Sequence, residues 1–189
     1  CHKLIDGENG KMLFEEYSDS LANVTAAEAM VVFDRLLNSG YNHETVKKNV
    51  GKIINAFTKG LESQEVNPLP ESHFISLLMA ENRKVEEVIA EYRPDIKTLF
   101  KEDGDRTHEI NRLKELIERL KEYDLHYIKK ENILFSYLEK VFTQHKCLSL
   151  MWSFHDDYRR GIKICEELLD APILDKQTIN KEFSLLLFV

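Results

Sequence analysis

The chain has 189 residues and a mass of 22.1 kDa, enough to bury a core of its own. With 43% hydrophobic and 31% charged residues it lies outside the disordered range, and a formal charge of −7 argues against nucleic acid or an anionic membrane as the main partner. Seven glycines and four prolines leave few turn formers, which favours long helices over short strands.

Residues 1–20 hold turn signals at Asp6-Gly7 and Asn9-Gly10 and no periodic element. Thr25 and Glu28 form a capping box, so a helix is predicted over about 26–38, with Met30, Phe33 and Leu37 on one stripe and Gly40 at its close. Asn42 can cap a second helix, in which Val46, Val50, Ile53 and Phe57 recur as far as Gly60. The two make a hairpin too thin to stand alone. Pro68 and Pro70 lie in the clearest internal boundary, which divides the chain into a small helical domain, residues 1–62, and a bundle, residues 63–189. In the bundle, helices are predicted over about 71–92, 106–140 and 147–169, separated by Pro94, Gly104 and the polar stretch Thr143–His145. A further helix can span about 175–188. The expected fold is all-α, a four-helix bundle behind a helical hairpin.

No apolar run approaches the ~20 residues needed to span a bilayer. Cys1, Cys147 and Cys165 are odd in number and widely spaced, as thiols in a reducing compartment would be. A cytoplasmic protein is expected, and the start at Cys1 suggests a piece of something longer.

The seams of these helices are not wholly apolar. The 106–140 helix carries Ile110, Leu113, Ile117 and Leu120, then Asp124, Tyr127 and Glu131, then Leu134 and Leu138. The next helix carries Leu148, Met151, His155, Tyr158, Ile162, Cys165 and Leu169, and the one before it Phe74, Leu78, Glu81, Val85 and Val88. A buried carboxylate costs several kcal/mol unless it is paired, protonated or bound to a cation. Three helices thus each turn an acid or an imidazole inward, the arrangement by which bundles hold metals. Each residue also has a plainer reading, as a Lys-paired Glu or a hydrogen-bonded core His.

Residues 71–160 resemble the haemerythrin-like (HHE) cation-binding family, in the version that follows a small helical domain and accompanies PAS sensor domains. The resemblance rests on Glu81-Asn82-Arg83, on His126 to Phe135 with Tyr137 to Lys140, and on Met151 to Asp156. It implies a bundle holding non-haem iron, as a di-iron pair in the full family site, that senses dioxygen, nitric oxide or redox state without catalysing a reaction. It carries over His73, His126, Glu131 and His155 as metal ligands, with Tyr127 and Glu81 beside the cofactor. The other histidines lie outside the bundle (His2, His43), at a helix start (His108) or in a connection (His145). Tyr127 stands where the di-iron motif has a histidine. On an ideal helix His126 and Glu131 diverge by about 140°, and His73 and Glu81 lie about 12 Å apart. A mononuclear or altered centre, haem held by histidine, or a metal-free signalling module with a structural polar core therefore stay open. A diatomic gas, an adjacent PAS domain and a second copy in a homodimer are the partners this reading implies.

Overall fold

The computed structural model describes residues 1–65, 67–101, 106–173 and 175–187, leaving aside the side chains of 100 and 101. In chain order the helices are α1 (His2–Ile5), α2 (Gly10–Glu16), α3 (Ser18–Leu21), α4 (Ala26–Asn38), α5 (His43–Glu62), α6 (Phe74–Lys101), α7 (Thr107–Lys129), a π-helical turn (Lys130–Phe135), α8 (Ser136–Val141), α9 (Leu148–Asp170) and α10 (Lys176–Leu186). Among the described residues every regular element is helical, so the fold is all-α. None of these helices is long and apolar enough to cross a membrane.

The chain divides into two compact units: Cys1–Pro68 with Phe135–Met151, and Leu69–Leu134 with Trp152–Val189. In the first, the capping box forms as the residues dictate: Thr25 N–H donates to Glu28 at 2.9 Å, and Glu28 N–H to Thr25 Oγ1 at 3.2 Å. Asn42 Oδ1 accepts from Thr45 N–H at 2.7 Å and opens α5. Val46, Ile53 and Phe57 are buried along α5, while α4 buries Ala29, Phe33 and Leu36. The burying stripe of α4 is thus one residue off the Met30–Leu37 pair read from the periodicity. Gly60 does not stop α5. A Cβ there would lie 2.6 Å from Leu21 O and 2.8 Å from Val24 N, so the close passage of the 21–24 segment needs glycine. Residues 1–20, read as irregular, form three short helices, and Asn9 caps the second through Lys11 and Met12 N–H. Lys146 ties the second segment of this unit to α4, its N–H to Asp34 at 3.1 Å and its ammonium to Asn38.

The second unit assembles α6, α7, most of the π turn, most of α9, and α10. Pairing runs in opposite chain order along α7 and α9, with Lys114 on Asp170, Lys121 on Glu166, Arg159 on Asp124 and His155 on Glu131. The two helices are therefore antiparallel. Leu113, Leu116, Ile117 and Leu120 of α7 close on Ile162, Cys165 and Leu169 of α9 and on Ile179 and Phe183 of α10. Pro94, expected to end its helix, lies inside α6. A proline there costs about 3 kcal/mol. Burial of Tyr92 before it and Leu99 after it keeps the chain on the core through that point. Met151, expected on the α9 seam, is exposed.

Candidate functional site

The three buried polar residues of the described core are His126, Glu131 and His155, exposed by 2%, 7% and 1%. Two of them lie on α7 and its π turn, five positions apart. The divergence of about 140° that an ideal helix gives this spacing sends them to different neighbours. His126 Nδ1 meets Glu81 Oε2 of α6 at 2.9 Å, and Glu131 Oε1 meets His155 Nδ1 of α9 at 2.8 Å. Tyr127 stands between the two pairs, its ring centroid 4.2 Å from that of His155 and 5.5 Å from that of His126.

Charges close both pairs. The Lys129 ammonium donates to Glu81. Arg159, one helical turn after His155, reaches Glu131 through Nη2, at 3.0 Å from Oε1 and 3.1 Å from Oε2. Its Nε donates to Asp124 Oδ1 at 2.8 Å, and its Nη1 lies 3.6 Å from Asp156. Lys130 lies over the Tyr127 ring, 5.7 Å from the centroid.

Burial lowers the pKa of both imidazoles by disfavouring the charged ring, and the Lys130 charge adds to this; Glu81 and Glu131 pull the other way without prevailing. Burial lowers the Lys130 ammonium as well. Burial also works against ionisation of Glu81, but hydrogen bonds from Lys129 and His126 outweigh it and hold the carboxyl below its ordinary value. Burial, aided by Asp124, pushes the Tyr127 phenol up to about 12. A neutral imidazole bonded to a carboxylate through Nδ1 donates its proton there and carries its lone pair on Nε2. That tautomer is the one a metal ligand needs.

Of the residues proposed from sequence, the structure joins Glu131 to His155 and Glu81 to His126, with Tyr127 packed between. His73 is not brought to them. It is exposed just before α6, its Nδ1 accepting from Ile75 N–H at 3.2 Å. Sequence reasoning missed Arg159, although its position four residues after His155, on the same face and opposite the seam carboxylate Asp124, was a usable signal. Tyr127 borders a cleft of about 340 Å³ with Tyr123, Tyr158 and Val85. His126, Glu81 and Lys129 border another of about 320 Å³.

A di-iron pair needs several imidazoles and carboxylates converging on shared ions. Among the described residues no group of three or more His, Cys, Asp or Glu is placed to hold a metal ion. The two imidazoles are committed to separate carboxylates with a tyrosine between them, and a guanidinium covers Glu131. As arranged, the donor set does not fit a metal pair.

Residues 73–186, more than half of the chain, match the family described as Hemerythrin HHE cation binding domain. No curated protein and no solved structure matches the chain.

Proposed function

Because the chain belongs to the haemerythrin HHE cation-binding family, we propose that its bundle is a sensory or regulatory module, not an enzyme, that reports the state of its polar layer through helix packing. The observation that carries this reading is the buried Glu131–His155 contact, 2.8 Å long, between α7 and α9. Both partners are withdrawn from water, so any ligand or proton that changes their charge must change how the two helices meet.

The finer form of the proposal is a non-haem iron centre using Glu131 and His155, with His126 as the second imidazole and Tyr127 beside the bound gas. Dioxygen, nitric oxide or a redox change would be the signal, and a neighbouring domain of PAS type or a second copy of the chain its recipient. Residues 1–62 form the accompanying N-terminal domain in this reading. The family match and the two Nδ1-bonded imidazoles favour it. Haem on one of those imidazoles is the variant of the same idea. The arginine on Glu131 favours a second reading, in which Arg159, Asp124, Glu131 and His155 form a metal-free network that sets helix register.

Protein purified without chelator separates these. Iron with an absorption band at about 300–400 nm, lost in His155→Ala, supports the iron centre, and a Soret band supports haem. A colourless, metal-free protein that stays metal-free when incubated with ferrous iron leaves the register network.

A further inference from the structure

We infer that the cleft bordered by Tyr123, Tyr127 and Tyr158 is a binding site for a small alkylated ammonium ion, with Glu86 as its counter-charge. No metal enters this site, so it stands or falls apart from the iron centre. Helical spacing builds it. Asn82, Glu86 and Ile89 recur on one face of α6, and Leu120, Tyr123 and Tyr127 on one face of α7, while Tyr158 of α9 and Leu186 of α10 also line the cleft. At about 340 Å³ it lies at the small end of the ~300–1,000 Å³ that small-molecule sites occupy, which suits a ligand of few heavy atoms.

Its chemistry is aromatic and acidic. The three rings stand steeply to one another, Tyr123 against Tyr127 at 82°, Tyr123 against Tyr158 at 70° and Tyr127 against Tyr158 at 64°, with centroids 4.8 to 6.4 Å apart. Two are held by their hydroxyls, Tyr123 donating to Asn82 Oδ1 at 2.6 Å and Tyr158 to Leu120 O at 2.7 Å, so these walls are set before a ligand arrives. His126 stacks on Tyr123 at 4.7 Å and lines the neighbouring cleft but not this one, so the stacked face belongs to that cleft and the opposite face to this one. Tyr127 already carries Lys130 over its ring and His155 against it; it walls the cleft, and Tyr123 supplies the open face. The face of a tyrosine ring is negative and attracts cations. Among the described residues lining the cleft Glu86 alone is charged, and it has no hydrogen bond or ion pair with any described residue. An anion would meet that carboxylate and the ring faces, all negative. A primary ammonium would exchange its water for three acceptors where the cleft offers one carboxylate. An ammonium bearing methyl groups in place of hydrogens asks for no acceptor and turns a positive, apolar surface to the rings and to Ile89.

The test titrates choline and tetramethylammonium calorimetrically into the full chain as purified, at constant ionic strength, beside the neutral alcohol in which carbon replaces the nitrogen of choline. Choline is expected to saturate with a Kd of about 1 mM or tighter, and the alcohol to bind at least about tenfold more weakly. Glu86→Gln should weaken choline about fivefold. Tyr123→Leu should abolish saturation and Tyr123→Phe, which keeps the ring, should retain it, with far-UV circular dichroism establishing that each variant folds. No saturation by either cation at about 20 mM overturns the inference. Equal binding of the alcohol overturns it as well, since the cleft would then be only an apolar hole. Wild-type affinity in folded Glu86→Gln or Tyr123→Leu puts the cation elsewhere and overturns it too. If Tyr123→Leu does not fold, Glu86→Gln and the alcohol decide. None of these outcomes bears on the iron centre, which His155→Ala tests separately.

Discussion

α7 and α9 meet twice, in two different ways. At one end Leu113, Leu116, Ile117 and Leu120 face Ile162, Cys165 and Leu169, all buried and all apolar. At the other, Asp124 and Glu131 face His155 and Arg159 through directional bonds, with the Tyr127 ring packed against that of His155. Tyr158 marks the transition, its ring in the apolar cluster and its hydroxyl donating to Leu120 O at 2.7 Å. Apolar packing is strong and tolerant of small shifts, since it scales with area and has no preferred direction. The polar end contributes less and tolerates less, because each buried group must keep its partner. One end therefore holds the helices together, while the other decides how they are set and what can change that setting.

The largest effect should come from the apolar end. Leu116→Ala, at a side chain with no exposure, is expected to cost about 2–5 kcal/mol in urea unfolding. A loss below 1 kcal/mol would mean that this end is not the anchor. Glu131→Gln keeps the shape but weakens the bonds to His155 and Arg159, and should cost about 1.5–3 kcal/mol. It should accelerate amide exchange around 124–131 and 155–159 while leaving 113–120 protected. Uniform acceleration of both ends would erase the distinction between them.

Acid should act on the same end. Both imidazoles titrate below their ordinary value, so below about pH 6.5 the unfolded chain takes up protons that the folded chain refuses. Their contribution is complete above that pH and declines as pH falls. Urea midpoints are expected to drop between about pH 7 and pH 5, and His155→Gln should flatten that drop. A midpoint that rises on acidification would reverse the assigned direction. The smallest effect is expected for Tyr127→Phe. Among the described residues the Tyr127 hydroxyl has no hydrogen-bond partner, so its removal should change stability by less than about 0.5 kcal/mol. A larger loss would reveal a bond formed in solution.

Much of the bundle was legible because its residues repeat with helical period and its caps are local. Thr25 with Glu28, and Asn42 with Thr45, needed only their own neighbours. The polar seam was legible for the same reason: Glu131 and His155 stand where apolar residues should, whatever the fold. Pro94 was misjudged because its local cost was visible and the burial of Tyr92 and Leu99 that offsets it was not. The π turn at Lys130–Phe135 contains neither proline nor glycine and carried no local signal.

The sequence by itself determined that the chain is helical, where its main caps lie, and that acids and imidazoles are carried inward on three helices. Those properties depend on contacts within one turn or on period alone. Only the tertiary structure decided the partners. It sent His126 to Glu81 and Glu131 to His155, left His73 at the surface, and set Arg159 on the Glu131 carboxylate. Pairings between residues 24 to 45 positions apart depend on how helices pack, and periodicity places a residue on a face without saying what stands opposite.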